Sequence, residues 1–461
     1  MKKHSIILLL AILLATGAKA NVSLPAIFGD HMVLKQNSTI TIWGWAKPFE
    51  EVVITPSWNN KESRVVVGND ANWQLQIETP EAGGPYEISV KGWNQFTIKD
   101  VLIGEVWLCS GQSNMEWSAR LGIQNSEKHV QEATNQQVRF FSVTHRTAAN
   151  PNYDIDGRWV VCSPESMVDF SALAYFFGNH LQKELNAPMG LINSSWGGTP
   201  IEVWIPTNKI EDNPFLSQAA QKVPEMGWSP RKPGVIYNAM IAPFTRFAIS
   251  GAIWYQGESN VSNAYAYTNM MEALVGSWRE QFNQPLPFIY AQIAPYNQYG
   301  DLSGVELREA QRKALETTTS TAMVLVSDIG DTADIHPRKK YEAGIRFANV
   351  ALNRVYNKKE LPCDGPMVKQ AQAKGNKVTV YFDRATKLSC TNPKPTHFEV
   401  AGSDGMFHNA NAAIKGNQVV VSSSKVKEPK MIRHEWQNAV IPDLFNEHGL
   451  PASSFQIPVN Q

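Results

Sequence analysis

Four short segments rich in Gly, Ser, Asn, Asp and His each follow a run of apolar residues, and they carry the side chains best suited to chemistry. They span residues 109–117, 193–200, 254–260 and 328–337. A serine exposed in a turn after a strand can attack a carbonyl carbon if a histidine accepts its proton. A nearby carboxylate orients that histidine and stabilises its cation. The four segments therefore predict nucleophilic catalysis by a serine.

The candidate nucleophile is Ser113, in the segment Gly-Gln-Ser-Asn-Met-Glu-Trp. Met115 stands where the nucleophile elbow G-x-S-x-G would have its second glycine, so that motif is not matched. The candidate base is His336, and Asp334 lies two residues before it.

The second and third segments offer hydrogen-bond donors for a developing oxyanion. Paired glycines such as Gly197 and Gly198 allow the backbone to approach a ligand closely and to aim an N–H group at it. Gln256 adds a side-chain amide. Glu258 and Asn260, in the same loop, could fix the loop or cap the following helix.

The elements that must position these segments alternate between buried strands and amphipathic helices. Strands are predicted at 101–108, 189–192, 249–255, 288–293 and 322–326, and helices at 170–185, 264–282, 305–316 and 339–356. This alternation is typical of an α/β fold with a parallel sheet and helices on both faces, whose ligands bind beyond the carboxyl ends of the strands.

Short alternating runs broken by turn residues flank the α/β section on both sides. They predict an N-terminal antiparallel sandwich and a second β-rich domain at the C-terminus. The predicted organisation is a signal peptide at 1–20, a β-sandwich domain at 21–100, a catalytic α/β domain at 101–356 and a β-rich domain at 357–461.

Composition indicates which classes of protein are excluded. The chain has 461 residues, of which 43% are hydrophobic and 18% charged, so it is not predominantly disordered. Its 42 basic and 42 acidic residues give no positive field for nucleic acid.

The first residues are typical of a secretory signal peptide. Lys2 and Lys3 precede the apolar run 6–14, and the sequence Ala-Lys-Ala ends at Ala20. We expect cleavage after Ala20 and export to the periplasm or the extracellular space. An uncleaved anchor is the alternative, but the run is shorter than the roughly 20 residues of a membrane span, and no later segment is long and apolar enough to be one.

Four cysteines allow three pairings if all are bridged, and none forms a C-x-x-C zinc motif. Cys363 and Cys390 could form a disulfide within one region. Cys109 ends an apolar run, where a buried free thiol is at least as plausible.

The motifs together resemble the sialate O-acetylesterases of the SGNH (GDSL-like) hydrolase superfamily. The resemblance covers almost the whole chain after the signal peptide, and it is carried by residues 24–36, 111–117, 197–204, 254–258, 334–337, 436–438 and 446–453. It implies a flavodoxin-like parallel sheet and a serine esterase that needs no metal or other cofactor.

The resemblance also implies a role for each site residue. Ser113 is the nucleophile, His336 the base and Asp334 the orienting acid. The oxyanion donors are the amides of Ser113 and Gly198 (or Gly197) and the Gln256 side chain. Gln256 replaces the superfamily's asparagine, and the acid lies two rather than three residues before the histidine, which keeps Asp331 and a Ser-His dyad open.

The implied substrate is an O-acetylated sugar, most specifically an O-acetylated sialic acid. Trp117 and Trp196 are candidates for stacking on sugar, and Glu258 and Arg308 for polar contacts with it. Arg120 and Arg338 are further candidates for a sialate carboxylate. An acetylxylan or other acetyl-hemicellulose esterase is the alternative enzyme, and a non-catalytic glycan-binding protein is the alternative of another class. The sequence makes no prediction about the oligomeric state.

Overall fold

The computed structural model describes residues 21–461, so the predicted signal peptide lies outside the described residues. The N-terminal part is built from seven strands: β1 (Val33–Lys35), β2 (Thr39–Trp45), β3 (Glu51–Pro56), β4 (Ser63–Val66), β5 (Asn72–Glu78), β6 (Gly83–Lys91) and β7 (Gln95–Gly111). Strands β2 and β5 form an antiparallel pair, and β4, β3, β6 and β7 form an antiparallel sheet. The predicted β-sandwich segment is therefore an all-β unit.

Strand β7 is 17 residues long and belongs to two parts of the molecule. Its first half pairs with β6, and its second half pairs with two strands of the α/β section. The predicted domain boundary between residues 100 and 101 falls inside this strand, because the sequence shows where apolarity becomes continuous but not that the strand has already begun.

The central sheet continues with β8 (Asn135–Ser142), β9 (Trp159–Cys162), β10 (Met189–Ser195), β11 (Gly251–Tyr255), β12 (Phe288–Ala291) and β13 (Thr321–Val324). Its order is β13-β12-β11-β7-β10-β8-β9, and only the edge pair β8–β9 is antiparallel. Chain order reverses at β7, since β10 lies on one side of it and β11 on the other. Such a switch point opens a crevice at the carboxyl end of the sheet.

Nine α-helices accompany these strands: α1 (Ser113–Glu116), α2 (Ser126–Gln131), α3 (Pro164–Met167), α4 (Ala172–Leu185), α5 (Thr207–Glu211), α6 (Pro214–Ala220), α7 (Tyr267–Phe282), α8 (Ser303–Thr317) and α9 (Lys340–Arg354) within residues 21–461. Short 3-10 helices span Ala119–Leu121, Ile201–Trp204, Ala242–Phe244, Glu258–Ala266 and Ser327–Ile329, and Tyr237–Ile241 forms a short π-helix. The four helices predicted from periodicity correspond to α4, α7, α8 and α9.

Helices cover both faces of the sheet. Successive side chains of a strand point to opposite faces, so neighbouring residues of β7 pack in two different cores. Trp107 and Cys109 of β7 pack in the core that contains α4 and α9. Val106 and Leu108 pack in the core that contains α7 and α8. This burial explains why the strands are almost uniformly apolar.

The C-terminal part begins with β14 (Met367–Lys374). It continues with β15 (Lys377–Asp383), β16 (Leu388–Cys390), β17 (Phe398–Ala401), β18 (Phe407–Asn409), β19 (Asn411–Lys415), β20 (Gln418–Ser422), β21 (Met431–His434), β22 (Leu444–Asn446) and β23 (Phe455–Asn460). Eight of these strands form one sheet, and β16 pairs with β22. The protein is thus a mixed α/β structure with a central, mostly parallel sheet and flanking β sheets.

All four cysteines are free thiols, and Cys109 and Cys162 are buried. The suggested disulfide between Cys363 and Cys390 is therefore wrong in this structure: Cys363 lies against Asp364, and Cys390 against the carbonyl of Asn392. Within residues 21–461 no helix has the length and apolarity to cross a membrane.

Candidate active site

The turn that carries Ser113 leaves the sheet at the end of β7. Gly111 is in register with Ser195 of β10 and Tyr255 of β11, so three candidate loops leave the sheet at one level. Gly111 has φ +134°, and a Cβ there would lie 2.2 Å from the Tyr255 carbonyl oxygen. Only glycine fits this close approach. Ser113 follows two residues later, half-buried, as the first residue of α1.

His336 lies on the loop that connects β13 with α9, and it meets the serine. Its Nε2 is 2.9 Å from Ser113 Oγ, although 223 residues separate the two in sequence. The ring stacks on Trp117, with centroids 4.1 Å apart and planes 20° apart. Asn114, next to the serine, donates its side-chain amide to the Ile335 carbonyl at 3.0 Å. The stack and this bond fix the histidine loop against the nucleophile turn.

Asp334 lies beside the histidine without a hydrogen bond to its ring. Its Oδ1 is 3.9 Å from His336 Nδ1, beyond hydrogen-bond distance, and accepts the His336 backbone N–H at 2.9 Å instead. The Arg338 guanidinium is 3.4 Å from its other oxygen. Asp331, the alternative acid, accepts the Ala333 backbone N–H. The structure therefore brings Ser113 and His336 into hydrogen-bond contact, whereas Asp334 lies near the imidazole ring without a hydrogen bond to it.

Electrostatics favour the neutral form of the histidine. Burial lowers the pKa of His336 below its usual value, and the Lys340 and Arg338 cations lower it further, whereas Asp334 raises it. A neutral imidazole that accepts a hydrogen bond from a serine hydroxyl is the form a general base requires.

Two backbone amides near the serine remain available as donors. Within residues 21–461, the N–H groups of Ser113 and Gly198 have no acceptor in hydrogen-bond range. The Gly197 N–H is already used, since it donates to Glu116 Oε2 at 2.6 Å. Gly197 also lies close to the serine, because a Cβ added to it would be 3.4 Å from Ser113 Cβ. Of the two predicted glycines, Gly198 is therefore the one that has a free amide.

A serine beside a neutral histidine and free amides is an arrangement suited to acyl transfer, and comparison with known proteins agrees with it. Residues 103–353 match the family model of the carbohydrate esterases described as sialic acid-specific acetylesterases. The chain belongs to this family.

Relatives extend the similarity along the chain. The human sialate O-acetylesterase is 30% identical over 76% of this chain and 74% of its own length, and the rat enzyme is 28% identical over 86% and 85%. A carbohydrate acetylesterase from Xanthomonas citri has a similar structure, with a TM-score of 0.87, 31% identity and coverage of 95% of this chain and 99% of that one.

In this acetylesterase the predicted oxyanion role of Gln256 is contradicted by its contacts. The side chain is fully buried, and its Nε2 lies 2.8 Å from Asn260 Oδ1 and 3.1 Å from both Gln112 Oε1 and the Thr199 carbonyl. An amide has two N–H groups, so both are already used. Gln256 instead joins the three loops that surround the serine.

Glu258 is likewise not a substrate contact, because it is buried beneath the esterase's dyad. It accepts the Asn114 side-chain amide at 2.6 Å, and the Lys340 ammonium donates to the same side chain's Oδ1 at 2.7 Å. Burial raises the pKa of Glu258 and lowers that of Lys340 to about 7. The chain Glu258–Asn114–Lys340 is a buried support for the Ser113 turn that the motifs did not reveal.

Arg308 also lies elsewhere than predicted. Its guanidinium is buried and donates to the backbone carbonyls of Gln437 and Asn438, so it attaches the C-terminal part to α8. Arg120 forms an exposed ion pair with Asp169. Among the three predicted arginines only Arg338 is beside the dyad, with its guanidinium 5.9 Å from the Trp117 ring.

The two tryptophans predicted to stack on sugar both lie near Ser113. Trp117 stacks on His336, as above, and Trp196 stacks on His145 with centroids 4.4 Å apart. His145 is paired with Glu116 at 3.0 Å, and this acid holds the Gly197 amide. Burial lowers the pKa of His145, and its bonds to Glu116 more than offset that effect, so the net shift is upward.

The motifs did not point to Trp228, which is 65% exposed and lies against Gly198. A Cβ added to Gly198 would meet its ring at 2.0 Å, so the indole lies directly over that glycine. Ser229 and Arg231 hold the same segment in place by donating to the Gly198 carbonyl, at 3.0 and 2.7 Å. The esterase thus has an exposed aromatic surface beside its serine.

Proposed function

We propose that this chain is a serine esterase that removes O-acetyl groups from sialic acids through a covalent acetyl-enzyme. The observation that carries the proposal is the 2.9 Å contact between Ser113 Oγ and His336 Nε2. The depressed pKa of the histidine and the unpaired amides beside the serine support the same reaction.

The reaction proceeds in two acyl-transfer steps. His336 takes the proton of Ser113 as the oxygen attacks the acetyl carbonyl carbon, and the amides of Ser113 and Gly198 stabilise the oxyanion. Collapse of this intermediate breaks the ester bond, and the imidazolium gives its proton to the departing sugar oxygen. His336 then activates water, which releases acetate and restores the serine.

The Trp117 ring, which stacks on His336, also forms one side of the proposed sugar site. Trp117 covers one face of His336, and the exposed Trp228 indole lies over Gly198 on the oxyanion side. Aromatic faces pack well against sugar C–H groups. Arg338, half-exposed beside Trp117, is the guanidinium we assign to the sialate carboxylate. A neutral acetylated xylan has no group for this arginine.

We assign the catalytic sheet to the SGNH superfamily, because its nucleophile follows the central strand β7 and its histidine follows the last strand, β13. We also propose export, with cleavage after Ala20, on the charged, apolar and small-residue pattern of residues 1–20. Expression in a Gram-negative host, fractionation and mass determination of the product test this: a periplasmic chain beginning at Asn21 supports export, and a full-length cytoplasmic chain refutes it.

The deciding experiment measures acetate release from 9-O-acetylated sialoglycan and from acetylated xylan by wild type and Ser113→Ala. We expect release from the sialoglycan that the variant loses, by a factor of about 10⁴ or more. Ser126→Ala, in the nearby helix α2, is the matched control and should keep full activity.

Faster release from xylan would replace the substrate assignment. Glycan binding without any acetate release, together with failure of a serine-directed phosphonate to label Ser113, would refute the esterase mechanism. Arg338→Gln tests the carboxylate contact: it should raise KM for acetylated sialate and leave KM for a neutral acetyl sugar unchanged.

A further inference from the structure

Three titratable side chains converge in the C-terminal part, away from the residues assigned to catalysis. They are His434 at the end of β21, Glu435 after it and Asp443 just before β22, and they are 0%, 1% and 3% exposed. One ligand atom from each lies within 4.8 Å of the others. His434 Nε2 and Glu435 Oε1 are 3.9 Å apart, too far for a hydrogen bond.

The polar atoms of this cluster lack partners. Within residues 21–461, both ring nitrogens of His434 and one oxygen each of Glu435 and Asp443 are buried without a hydrogen bond. The other Asp443 oxygen is satisfied, since it accepts from Thr396 and Asn392, so the unpaired one is held in a fixed direction. Buried polar groups are rarely left in this condition.

Neither tautomer of His434 is satisfied. At least one ring nitrogen carries a proton in either tautomer, and neither nitrogen has a hydrogen-bond partner within residues 21–461. The aromatic rings of Phe398 and Phe455 flank the imidazole, with centroids 4.2 and 5.7 Å away, and they offer no polar atom. A single partner that binds a nitrogen and two carboxylate oxygens at once would satisfy three of these unpaired atoms together.

We propose that His434, Glu435 and Asp443 form a structural site for a divalent transition-metal cation of the Zn²⁺ type. Zn²⁺ binds imidazole nitrogen and carboxylate oxygen at about 2.0–2.2 Å, so that two of its ligands lie about 3.4 Å apart. The ligand atoms of the cluster lie within 4.8 Å of one another, with His434 Nε2 and Glu435 Oε1 at 3.9 Å, so binding requires side-chain rotations that bring them closer. Two carboxylates also balance the charge of a divalent ion. Ca²⁺ takes six to eight oxygen ligands and Mg²⁺ keeps several waters, which this buried nitrogen-containing set does not provide.

The position of the cluster explains what the ion would do. Residues 435 and 443 are the two ends of one loop, and this loop holds the C-terminal part on the catalytic part. Asn438, within it, accepts from the backbone N–H groups of Gly304 and Val305 at the start of α8, and its carbonyl accepts from Arg308. A bound cation ties the ends of the loop together and so stabilises this contact. The ion takes no part in acetyl transfer.

The test uses the full mature chain without a polyhistidine tag. The protein is stripped with a chelator, exchanged into metal-free buffer, loaded with Zn²⁺ and desalted, and its zinc content and melting temperature are then measured. We expect about one zinc per chain and a higher melting temperature in the loaded protein. His434→Gln and Asp443→Asn should each weaken Zn²⁺ binding by more than about tenfold in competition with a chromophoric chelator.

Two control variants should bind zinc as the wild type does. His448→Gln removes an exposed histidine that lies 3.8 Å from Glu447, a similar pair without the burial. His336→Ala removes the histidine of the esterase site. A wild-type chain that retains no zinc after loading overturns the proposal whether or not the variants fold, and so does zinc that is lost with His336 or His448 but kept in Asp443→Asn.

Discussion

The distance between Asp334 and the His336 ring predicts how much activity the substitution Asp334→Asn should cost. In a closed triad the acid accepts a hydrogen bond from the histidine, and its conversion to the amide costs about 10⁴ in kcat. Here the two atoms are 3.9 Å apart, and Asp334 Oδ1 accepts a backbone N–H instead. Asparagine keeps that acceptor, so the substitution removes the charge and preserves the turn.

The magnitude follows from Coulomb's law. Opposite charges about 4 Å apart interact by about 1 kcal/mol in bulk water and about 4 kcal/mol at an effective dielectric constant near 20. The His336 and Asp334 side chains are 25% and 35% exposed, so their interaction energy should lie between these two values. The Arg338 cation offsets part of the Asp334 charge. We expect the imidazolium of the transition state to lose about 2 kcal/mol, a decrease of about 30-fold in kcat/KM.

The assay measures kcat/KM for acetate release by wild type, Asp334→Asn, His336→Ala and Asp331→Asn. We expect His336→Ala to lose far more activity than Asp334→Asn. Asp331→Asn should be unaffected, because within residues 21–461 that carboxylate accepts a hydrogen bond from the Ala333 amide and none from His336. A loss of about 10⁴ for Asp334→Asn, equal to that of His336→Ala, would refute the reasoning and show that the acid binds the ring during turnover. Unchanged activity would equally refute a contribution from its charge.

Three further substitutions test the surroundings of the dyad. Gln256→Ala removes a buried donor with three neighbouring acceptors, so we expect the free energy of unfolding to fall by about 1–3 kcal/mol in denaturant titration. Lys340→Met removes a cation that lowers the pKa of His336, so that pKa should rise and the acidic limb of the kcat/KM profile should move to higher pH. Trp228→Ala should raise KM for acetylated glycans by about three- to tenfold and leave hydrolysis of p-nitrophenyl acetate unchanged.

Each substitution has an outcome that contradicts its premise. Wild-type stability with a hundredfold lower kcat in Gln256→Ala would restore its role as an oxyanion donor. An acidic limb that stays in place in Lys340→Met would show that the ammonium does not act on His336. Trp93→Ala is the control for Trp228→Ala, since it removes another exposed tryptophan, in the N-terminal part of the protein. Equal effects of the two tryptophan changes on KM would remove Trp228 from the sugar site.

The sequence predicted the framework of the site well because its signals are local. The second half of β7 and strand β13 are apolar runs, and polar segments follow them, so Ser113 and His336 could be placed at one edge of the sheet. Strand β8 was missed because it begins with Asn135 and two glutamines, and half of it carries no apolar pattern.

The errors concern side chains whose partners are distant in sequence. Gln256 has the right chemistry for an oxyanion donor, but its partners Gln112 and Thr199 come from two other loops and use both of its N–H groups. Arg308 was expected near substrate, and its partners are backbone carbonyls about 130 residues later. Residue type reports what a group can do, whereas only the packed structure reports whether it is free to do it.

Strand β7 has a consequence for how the protein can be divided. Its 17 residues run as one strand from the N-terminal sheet to the nucleophile turn, with an irregularity at Asp100, where φ is +54°. The two parts are therefore joined by paired backbone and not by a free linker. The N-terminal unit is therefore not a detachable accessory. A truncation that removes residues 1–100 would delete β6 and the first six residues of β7, and it would leave the strand that carries Ser113 with a frayed chain end.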